Sequence, residues 1–466
     1  MGPDVNARQE LTAKPVSICL LSFLLTTYLT LNPRLFHLRL WLVPIALGSV
    51  WSLCTKFAIS DPSFTAVNFG TCSVGFCAAI KLLELATLDT PPKHDGQTVC
   101  EKQSVLCWNC TVNTVSYLFD FRCRHWNKDN TCHTPADARR DGSHAEFYID
   151  TLMLALKHGL YIDALLPFIT NTNQSGSSQG GTIFRDTFAL TSNHTIRLPH
   201  PLLGALPLTI AVGLLVQNGL EFENYVVTLL AAPLMWLPPS ISPYSRPASS
   251  LKYECPPLFD HPYRATSLGE FWSKRWQSMP RRMFLVGGAR PGRIVGGFLG
   301  SLAGKTIGFF SSAKTGRNGW GNRARSLGSR VGFVMGAFLV SGLMHDFGMW
   351  GMGQGMDFQR VTGYFLIQGV GVILESILGL DQTDKHKSVA NSLTADKNSR
   401  TVHKSKSSMP YRLLMKLWVF GWVVVPATMM MEAWLQRGFD LITLVPYAYS
   451  PSRTLLNFWN GFAFGK

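Results

Sequence analysis

Apolar runs about as long as a bilayer is thick recur along this chain of 466 residues. A helix needs about 20 mostly apolar residues to cross the hydrocarbon core, and it satisfies its own backbone hydrogen bonds while doing so. Only 15% of the residues are charged, so few charges interrupt the runs. We therefore predict an all-α polytopic membrane helical bundle of about eight to ten spans. It forms a single domain over residues 1–466, and a soluble protein with this many buried helices is the less favoured alternative. The predicted spans are 16–31, 36–59, 64–87, 149–170, 201–220, 223–239, 331–350, 361–380, 411–433 and, less regular because it contains Lys305, 294–311.

Positive charge is concentrated in one part of the chain. The net charge is +15, and between Arg264 and Arg330 thirteen Lys or Arg accompany a single acid, Glu270. Two interpretations stay open. Cytoplasmic loops of membrane proteins are generally rich in Lys and Arg, and cations also bind phosphate groups. We expect no nucleic-acid partner and no bound metal, because a lone CxxC at 107–110 is weak evidence for a metal site.

The polar segments suggest a topology. We place the basic loops 241–283, 312–330 and 381–410 in the cytoplasm, the last as a flexible loop that cannot bury a core. This requires 284–311 to follow a re-entrant or interfacial course. Counting spans backwards then places 171–200 in the cytoplasm and the polar loop 88–148 in the lumen. Of the three sequons, Asn109 would carry glycan, whereas Asn173 and Asn193 would not.

A histidine stands inside an apolar run at FLVSGLMHDFGMWG, residues 338–351. An ionisable group in a membrane span is costly and usually functional. Imidazole titrates nearest neutrality, so His345 is the best candidate for a general base in the chain. Ser341 and Asp346 flank it. The alternative is a histidine that is merely satisfied by a hydrogen bond between helices.

A second segment, PLFDHPYRATSLGEFWSKRWQ at 257–277, places aromatic and basic side chains within two helical turns. Pro256, just before it, and Pro257 and Pro262 within it argue for a shaped loop before the FWSKRWQ end. A third segment, FLIQGVGVILE at 365–375, carries Gln368 and Glu375 in an apolar run. Glu375 therefore needs a partner, for which a buried Arg or Lys is our first expectation and substrate contact our second.

The three segments, in this order, resemble the wax synthase-like branch of the membrane-bound O-acyltransferases, enzymes that esterify an alcohol with an acyl group from acyl-CoA. The resemblance implies that spans 331–380 carry the catalytic histidine, His345. In that family an Asn or His directly follows an Arg-Trp pair and is thought to cooperate with the buried histidine. In this chain the residue at that position is Gln277. Gln277 keeps an amide donor and acceptor but cannot act as a base. Asp346 stands where plant members commonly have Glu. The implied site residues are, for acyl-CoA, Trp272, Lys274, Arg275, Trp276, Arg281 and Arg282, and, for substrate, Ser341, Asp346, Gln368 and Glu375.

The length and the basic loop 381–410 look most similar to fungal relatives that acetylate secondary metabolites. This likeness implies acetyl-CoA as a co-substrate rather than a permanently bound cofactor, a hydrophobic alcohol such as a terpenoid as acceptor, and a location in the endoplasmic reticulum. Two alternatives remain open. One is a wax ester synthase that uses long acyl chains and fatty alcohols, and the other is a non-enzymatic membrane transporter or scaffold.

Overall fold

The computed structural model describes residues 7–92, 108–119, 133–173, 181–191, 194–238, 247–310, 317–353, 355–380, 409–439 and 450–455. Helices dominate this part of the chain, as predicted. The helices are α1 (Ala13–Leu31), α2 (Arg39–Lys56), α3 (Thr65–Ala86), α4 (Trp108–Phe119), α5 (His144–Asn173), α6 (Pro201–Trp236), α7 (Leu251–Glu254), α8 (Leu268–Glu270), α9 (Arg281–Phe284), α10 (Arg290–Phe310), α11 (Arg317–Gly351), α12 (Val361–Ile377) and α13 (Met409–Leu435). The strands form one short parallel pair, β1 (Gln9–Glu10) with β2 (Phe57–Ala58), and one hairpin, β3 (Thr187–Thr191) with β4 (His194–Arg197).

Seven helical segments of the described chain are long and apolar enough to cross a membrane. They cover most of the predicted spans, and α12 is a shorter apolar helix of 17 residues. Large apolar side chains point away from the bundle, among them Trp41 on α2 and Leu230 on α6, which are 79% and 75% exposed. Such side chains are stable outward only against lipid. The protein is therefore an integral, multi-pass helical membrane protein. Most of the predicted basic loop, 381–408, lies outside the described residues.

The predicted spans 201–220 and 223–239 are wrong, because α6 is one continuous helix from Pro201 to Trp236. The polar stretch around Glu221 and Glu223 suggested a turn between two spans. The Glu221 carboxylate instead accepts hydrogen bonds from the backbone N–H groups of Leu258 and Phe259 at 3.0–3.3 Å. A buried carboxylate with such donors can stay in a helix interior.

Because α6 is one span where two were predicted, counting back from the 241–283 loop reverses the predicted sides of 171–200 and 88–148. Residues at the end of the 88–148 segment contact the 241–283 loop, since His133 Nε2 lies 2.8 Å from Asp260 Oδ2 and Lys252 Nζ lies 2.9 Å from Asp141 Oδ1. Arg139 also donates to the carbonyl oxygen of Cys255. These two segments therefore share one face of the bundle, and the prediction that they lie on opposite faces is wrong.

The segment 181–200 lies at the other end of the bundle. Thr182 donates to Glu432 near the end of α13, and Gln436 one turn later accepts from Arg360 at 2.8 Å. Arg360 precedes α12, at the end of the bundle opposite the Glu375 terminus of that helix. The predicted placement of 171–200 on the same face as 241–283 is therefore also wrong.

The Gly-rich segment before α11 does not turn back. From Arg281 to Phe310 it is helical without interruption, through α9, a π-helical turn at Leu285–Ala289, and α10. It packs against α11 by direct backbone contact. A Cβ added at Gly292 would lie 2.2 Å from the carbonyl oxygen of Gly332, and one at Gly288 would lie 2.1 Å from that of Gly336. Only glycine permits this approach. The re-entrant course predicted for 284–311 is therefore wrong, while an interfacial course stays a prediction.

Candidate active site

His345 projects from α11 toward the interior of the bundle. Its Nδ1 lies 2.7 Å from the carbonyl oxygen of Ser341, one turn earlier. A carbonyl can only accept, so Nδ1 carries the proton and donates. Nε2 then holds the free lone pair, and no group of the described residues hydrogen-bonds to it. This is the tautomer that a general base at Nε2 requires.

Aromatic rings hold the imidazole in place. The ring of Phe365 on α12 stacks on it with centroids 4.4 Å apart and planes 26° apart. Trp434 on α13 lies nearly parallel to it, at 6.1 Å and 16°. Phe69 on α3 completes the surround with a tilted contact at 6.3 Å. Three other helices thus meet at His345.

Protein encloses the face of α11 that carries the histidine. Ser341 and Met349, one turn to either side on the same face, are buried, at 7% and 0% exposure. His345 itself is partly buried. The imidazole therefore lies within the bundle, with its Nε2 not engaged by a hydrogen bond of the described residues.

Small residues on α11 allow the close packing around the site. A Cβ added at Gly342 would lie 2.8 Å from the Cα of Thr362, and one at Gly348 would lie 2.8 Å from the Phe69 ring. The two glycines thus bring α12 and α3 close enough to place Phe365 and Phe69 against His345.

Asp346 fastens the end of α11 to the start of α12. Its side chain is 1% exposed; one oxygen accepts from the backbone N–H of Asp357 at 2.9 Å and the other from the hydroxyl of Thr362. The predicted role in substrate binding is untested. Because both carboxylate oxygens are already engaged, the geometry favours positioning of the helix over direct contact with substrate.

The segment 255–277 is an irregular chain held by buried carboxylates. After the turn at Pro262–Arg264, a short helix, α8, continues as a π-helical turn over Phe271–Arg275. Glu375 on α12, 1% exposed, accepts from the backbone N–H groups of Leu268 and Gly269 at 2.8 and 3.1 Å. It also accepts from the indole N–H of Trp418 at 3.0 Å. Backbone and indole donors are thus among the partners of Glu375, and its pairing with a buried cation stays a prediction.

Three further contacts tie this segment together. Glu270 accepts from Thr266 N–H at 2.9 Å and pairs with the guanidinium of Arg275 at 2.6 Å. Arg275 also donates to the carbonyl oxygen of Asp260 at 3.0 Å. These contacts satisfy polar groups that have no helical partner, which holds the irregular chain in place.

Trp272 connects this segment with the histidine. Its ring packs on Phe365 at 6.2 Å and on Phe338 of α11 at 5.6 Å, and Phe365 in turn stacks on His345. Its indole N–H points to Gln368 Oε1 at 3.4 Å, and the fully buried Gln368 donates to the carbonyl oxygen of Trp422 at 3.0 Å. The three sequence segments therefore meet in one place through Trp272, Phe365 and His345.

Comparisons with known proteins match the part of the chain that contains Trp272 and His345. Residues 255–367 match the membrane bound O-acyl transferase family. The matched segment begins in the lead-in to Trp272, includes His345 and ends one residue before Gln368.

Two curated plant proteins resemble this chain over 122 residues. They are a long-chain-alcohol O-fatty-acyltransferase of Simmondsia chinensis, 28% identical, and a probable long-chain-alcohol O-fatty-acyltransferase 2 of Arabidopsis thaliana, 30% identical. Each match covers 26% of this chain and 28% or 29% of the relative, so the chain spans less than a third of the length of either. No solved structure matches the chain significantly.

Four basic residues near the start of the matched segment fall into two classes. Arg275 is engaged by Glu270, and Arg282 pairs with Glu84 of α3 at 2.6 Å, in an ion pair whose acid is 5% exposed. Lys274 is exposed, and Arg281 donates to the carbonyl oxygen of Ser273 at 2.7 Å from a partly exposed position. Of the four, Lys274 and Arg281 are the better placed to meet a soluble anion.

The aromatic side chain of Trp276 lies in the core of the same segment. Its ring stacks on Phe271 at 5.5 Å and meets Phe259 edge-on at 5.0 Å. Gln277 follows directly, is partly buried, and forms no hydrogen bond with the described residues. The structure therefore leaves the Gln277 amide available but provides no direct contact with His345, and the predicted roles of both residues stay predictions.

A charged cluster closes the loop before α8. Asp260 lies 2.8 Å from His133 and 3.3 Å from His261, whose backbone is left-handed with φ of 47°. Burial would raise the pKa of Asp260, but the hydrogen bonds from the two histidines and the charge of Arg275 outweigh it and lower that pKa. The carboxylate is therefore ionised at neutral pH and holds the loop.

Sequence reasoning missed three residues that shape the site: Glu221, Phe69 and Trp434. An acid inside the apolar run of α6 was a usable signal for Glu221, because a membrane acid needs donors. Phe69 and Trp434 carry no such signal, since aromatic side chains are common throughout the spans.

Proposed function

We propose that this protein is a membrane-bound O-acyltransferase that transfers an acyl group from acyl-CoA to the hydroxyl of a hydrophobic alcohol. The observation that carries the proposal is His345, whose Nδ1–H is fixed on Ser341 while Nε2 is not engaged by a hydrogen bond of the described residues. It lies within the segment that matches the O-acyltransferase family.

The reaction needs one base and one donor of the acyl group. Nε2 of His345 takes the proton of the alcohol as its oxygen attacks the thioester carbonyl carbon. The new C–O bond forms, the C–S bond breaks, and the CoA thiolate leaves with the proton that His345 has held. Both substrates are bound together, so no acyl-enzyme forms. We assign the Gln277 amide to orienting the alcohol, because it can donate and accept but cannot take a proton.

We place CoA at the end of the bundle where the 255–277 segment lies. Lys274 and Arg281 would bind its phosphates there, since neither is held in an ion pair among the described residues. Trp272 and Trp276 shape the wall beside the entry, while Arg275 and Arg282 support the segment through their ion pairs. A basic surface at this end agrees with a cytoplasmic source of acyl-CoA.

For the acyl group we favour acetyl, with a terpenoid or similar secondary metabolite as the alcohol. The aromatic rings of Phe69, Phe365 and Trp434 stand within 4.4–6.3 Å of the imidazole centroid and restrict the room beside Nε2. The alternative is a long-chain wax ester synthase, which the names of the two plant relatives favour.

The proposed location is the endoplasmic reticulum. With the 255–277 end in the cytoplasm, the corrected arrangement places 171–200 in the lumen and 88–148 in the cytoplasm. We therefore expect glycan at Asn173 or Asn193 rather than at Asn109, the reverse of the expectation from sequence. Treating the expressed protein with an endoglycosidase, with each asparagine changed to Gln in turn, would show which sequon is used.

The function is tested in membranes that lack other alcohol acyltransferases. Acyl-CoA of chain length two to eighteen is offered with hydroxylated terpenoids and with fatty alcohols, and ester is measured against membranes without the protein. We expect ester from acetyl-CoA and a terpenoid alcohol. Ester only from long acyl-CoA and fatty alcohols would establish the alternative, and no ester with any pair would contradict both and leave the transporter or scaffold.

A further inference from the structure

The side chain of Trp434 holds an unsatisfied donor beside the histidine. The residue is 3% exposed, and its Nε1 is closed to water and has no hydrogen-bond partner among the described residues. A buried N–H without an acceptor costs free energy, and in native proteins such a group usually has a specific reason to exist.

The surroundings explain why the protein itself supplies no acceptor. The indole lies between apolar rings, with Phe69 edge-on at 5.1 Å and Phe439 tilted at 5.1 Å. The imidazole runs nearly parallel to it at 16°, and its Nδ1–H is itself a donor. No hydrogen bond joins the indole N–H to the imidazole.

The other tryptophans of α13 behave differently. Trp418 donates to the carboxylate of Glu375 at 3.0 Å, and Trp422 donates to the carbonyl oxygen of Ile367 at 3.2 Å. Of these three indoles, the one without an acceptor is the one whose ring packs beside His345. The unsatisfied donor therefore belongs to the tryptophan that packs on the proposed base.

We infer that the Trp434 indole N–H is a further catalytic group, which donates a hydrogen bond to the carbonyl oxygen of the acyl thioester. This inference rests on the proposed function. Negative charge develops on that oxygen as the alcohol attacks and its proton passes to Nε2 of His345. An indole is a donor only, so it stabilises the oxyanion without competing for the proton. When the C–S bond breaks, the oxygen returns to a carbonyl and the hydrogen bond weakens.

Trp434→Phe tests this inference, because it removes the N–H and keeps an aromatic ring. Removing one oxyanion donor typically lowers kcat by about 10²–10³-fold, and we expect a loss in that range. The thermal stability should stay equal or rise, because a buried unsatisfied donor is gone. The matched variant is Trp422→Phe, which breaks an existing hydrogen bond on the same helix. It should lower the thermal stability and change kcat by less than about threefold.

A binding measurement separates contact with the carbonyl from general damage. Acetyl-CoA and S-ethyl-CoA differ in the carbonyl oxygen, and their Kd values are measured without alcohol. Trp434→Phe should weaken binding of acetyl-CoA and leave that of S-ethyl-CoA unchanged. Equal weakening of both, or a kcat equal to that of the unchanged protein, would overturn the inference. Absence of turnover and of acyl-CoA binding in the unchanged protein would instead overturn the proposed function, and the inference with it.

Discussion

The two halves of the candidate site are held in place by different forces. The 255–277 segment is irregular, and the buried carboxylates of Glu221 and Glu375, with the partly buried Glu270, satisfy its backbone and its arginine. His345 lies in a regular helix, where glycine contacts and aromatic rings from neighbouring helices position it. The comparison teaches that removing a charge should damage the first half, whereas adding volume should damage the second.

Of the variants that test the two halves, Glu375→Gln should have the largest effect on stability and activity. The glutamine side chain has one acceptor oxygen and one NH2 group in place of two acceptor oxygens. One of the two backbone N–H groups bound by Glu375 would therefore face a donor. A lost hydrogen bond to a charged group costs about 1.5–3 kcal/mol. We expect a lower midpoint of thermal unfolding and a marked loss of activity, both measured on protein purified in detergent. An unchanged midpoint would show that the carboxylate does not hold the segment.

Gly342→Ala tests the second half by adding one methyl group. The Cβ would lie 2.8 Å from the Cα of Thr362, so α12 must shift and carry Phe365 away from His345. Overpacking of this kind costs about 1–3 kcal/mol, and activity should fall with stability. Gly363→Ala is the matched control, because its Cβ would meet only the carbonyl oxygen of Phe358 at 3.7 Å. If Gly342→Ala and Gly363→Ala unfold at the same temperature, close packing at Gly342 does not hold the second half in place.

Trp272→Phe probes the contact between the halves. It removes the N–H that points to Gln368 and shortens the ring that packs on Phe365. Because neither half loses a buried charge or gains volume, we expect a stability change below about 1 kcal/mol and a several-fold lower kcat. A change in stability with no change in kcat would mean that Trp272 is structural only.

Gln277 should give the smallest effect. A single neutral hydrogen bond to substrate contributes about 0.5–1.5 kcal/mol, so Gln277→Ala should lower kcat/KM for the alcohol by about tenfold at most. Gln277→Asn keeps the amide and should retain most of the activity. The assignment of an orienting role fails if both variants match the unchanged protein over a range of alcohol concentrations.

Much of the fold followed from hydropathy alone, because a span needs a continuous apolar run and that run is visible in sequence. The exceptions have physical causes. A break between two spans was predicted near Glu221, whose donors, the N–H groups of Leu258 and Phe259, lie more than thirty residues away. The predicted topology then failed because it depended on the number of spans.

The site was predictable from sequence only in part. His345 stands out in sequence because an ionisable group is costly in a span, and the structure fixes its Nδ1–H on Ser341, which leaves the lone pair on Nε2. Asp346, Gln368 and Glu375 were expected to bind substrate, yet the described contacts engage their polar atoms within the protein. Sequence shows that a buried polar group needs a partner but does not identify the partner.

The central claim is that His345 is the base of an O-acyltransferase, and changing this side chain tests it most directly. Ester formation from labelled acetyl-CoA is compared between His345→Ala and His158→Ala, which removes another histidine of the spans, hydrogen-bonded to Asn218 at 2.7 Å. Loss of a general base typically costs about 10²–10⁴-fold in rate. We predict that loss for His345→Ala with thermal stability retained, and near-normal rates for His158→Ala. Equal rates in the two variants would contradict the account.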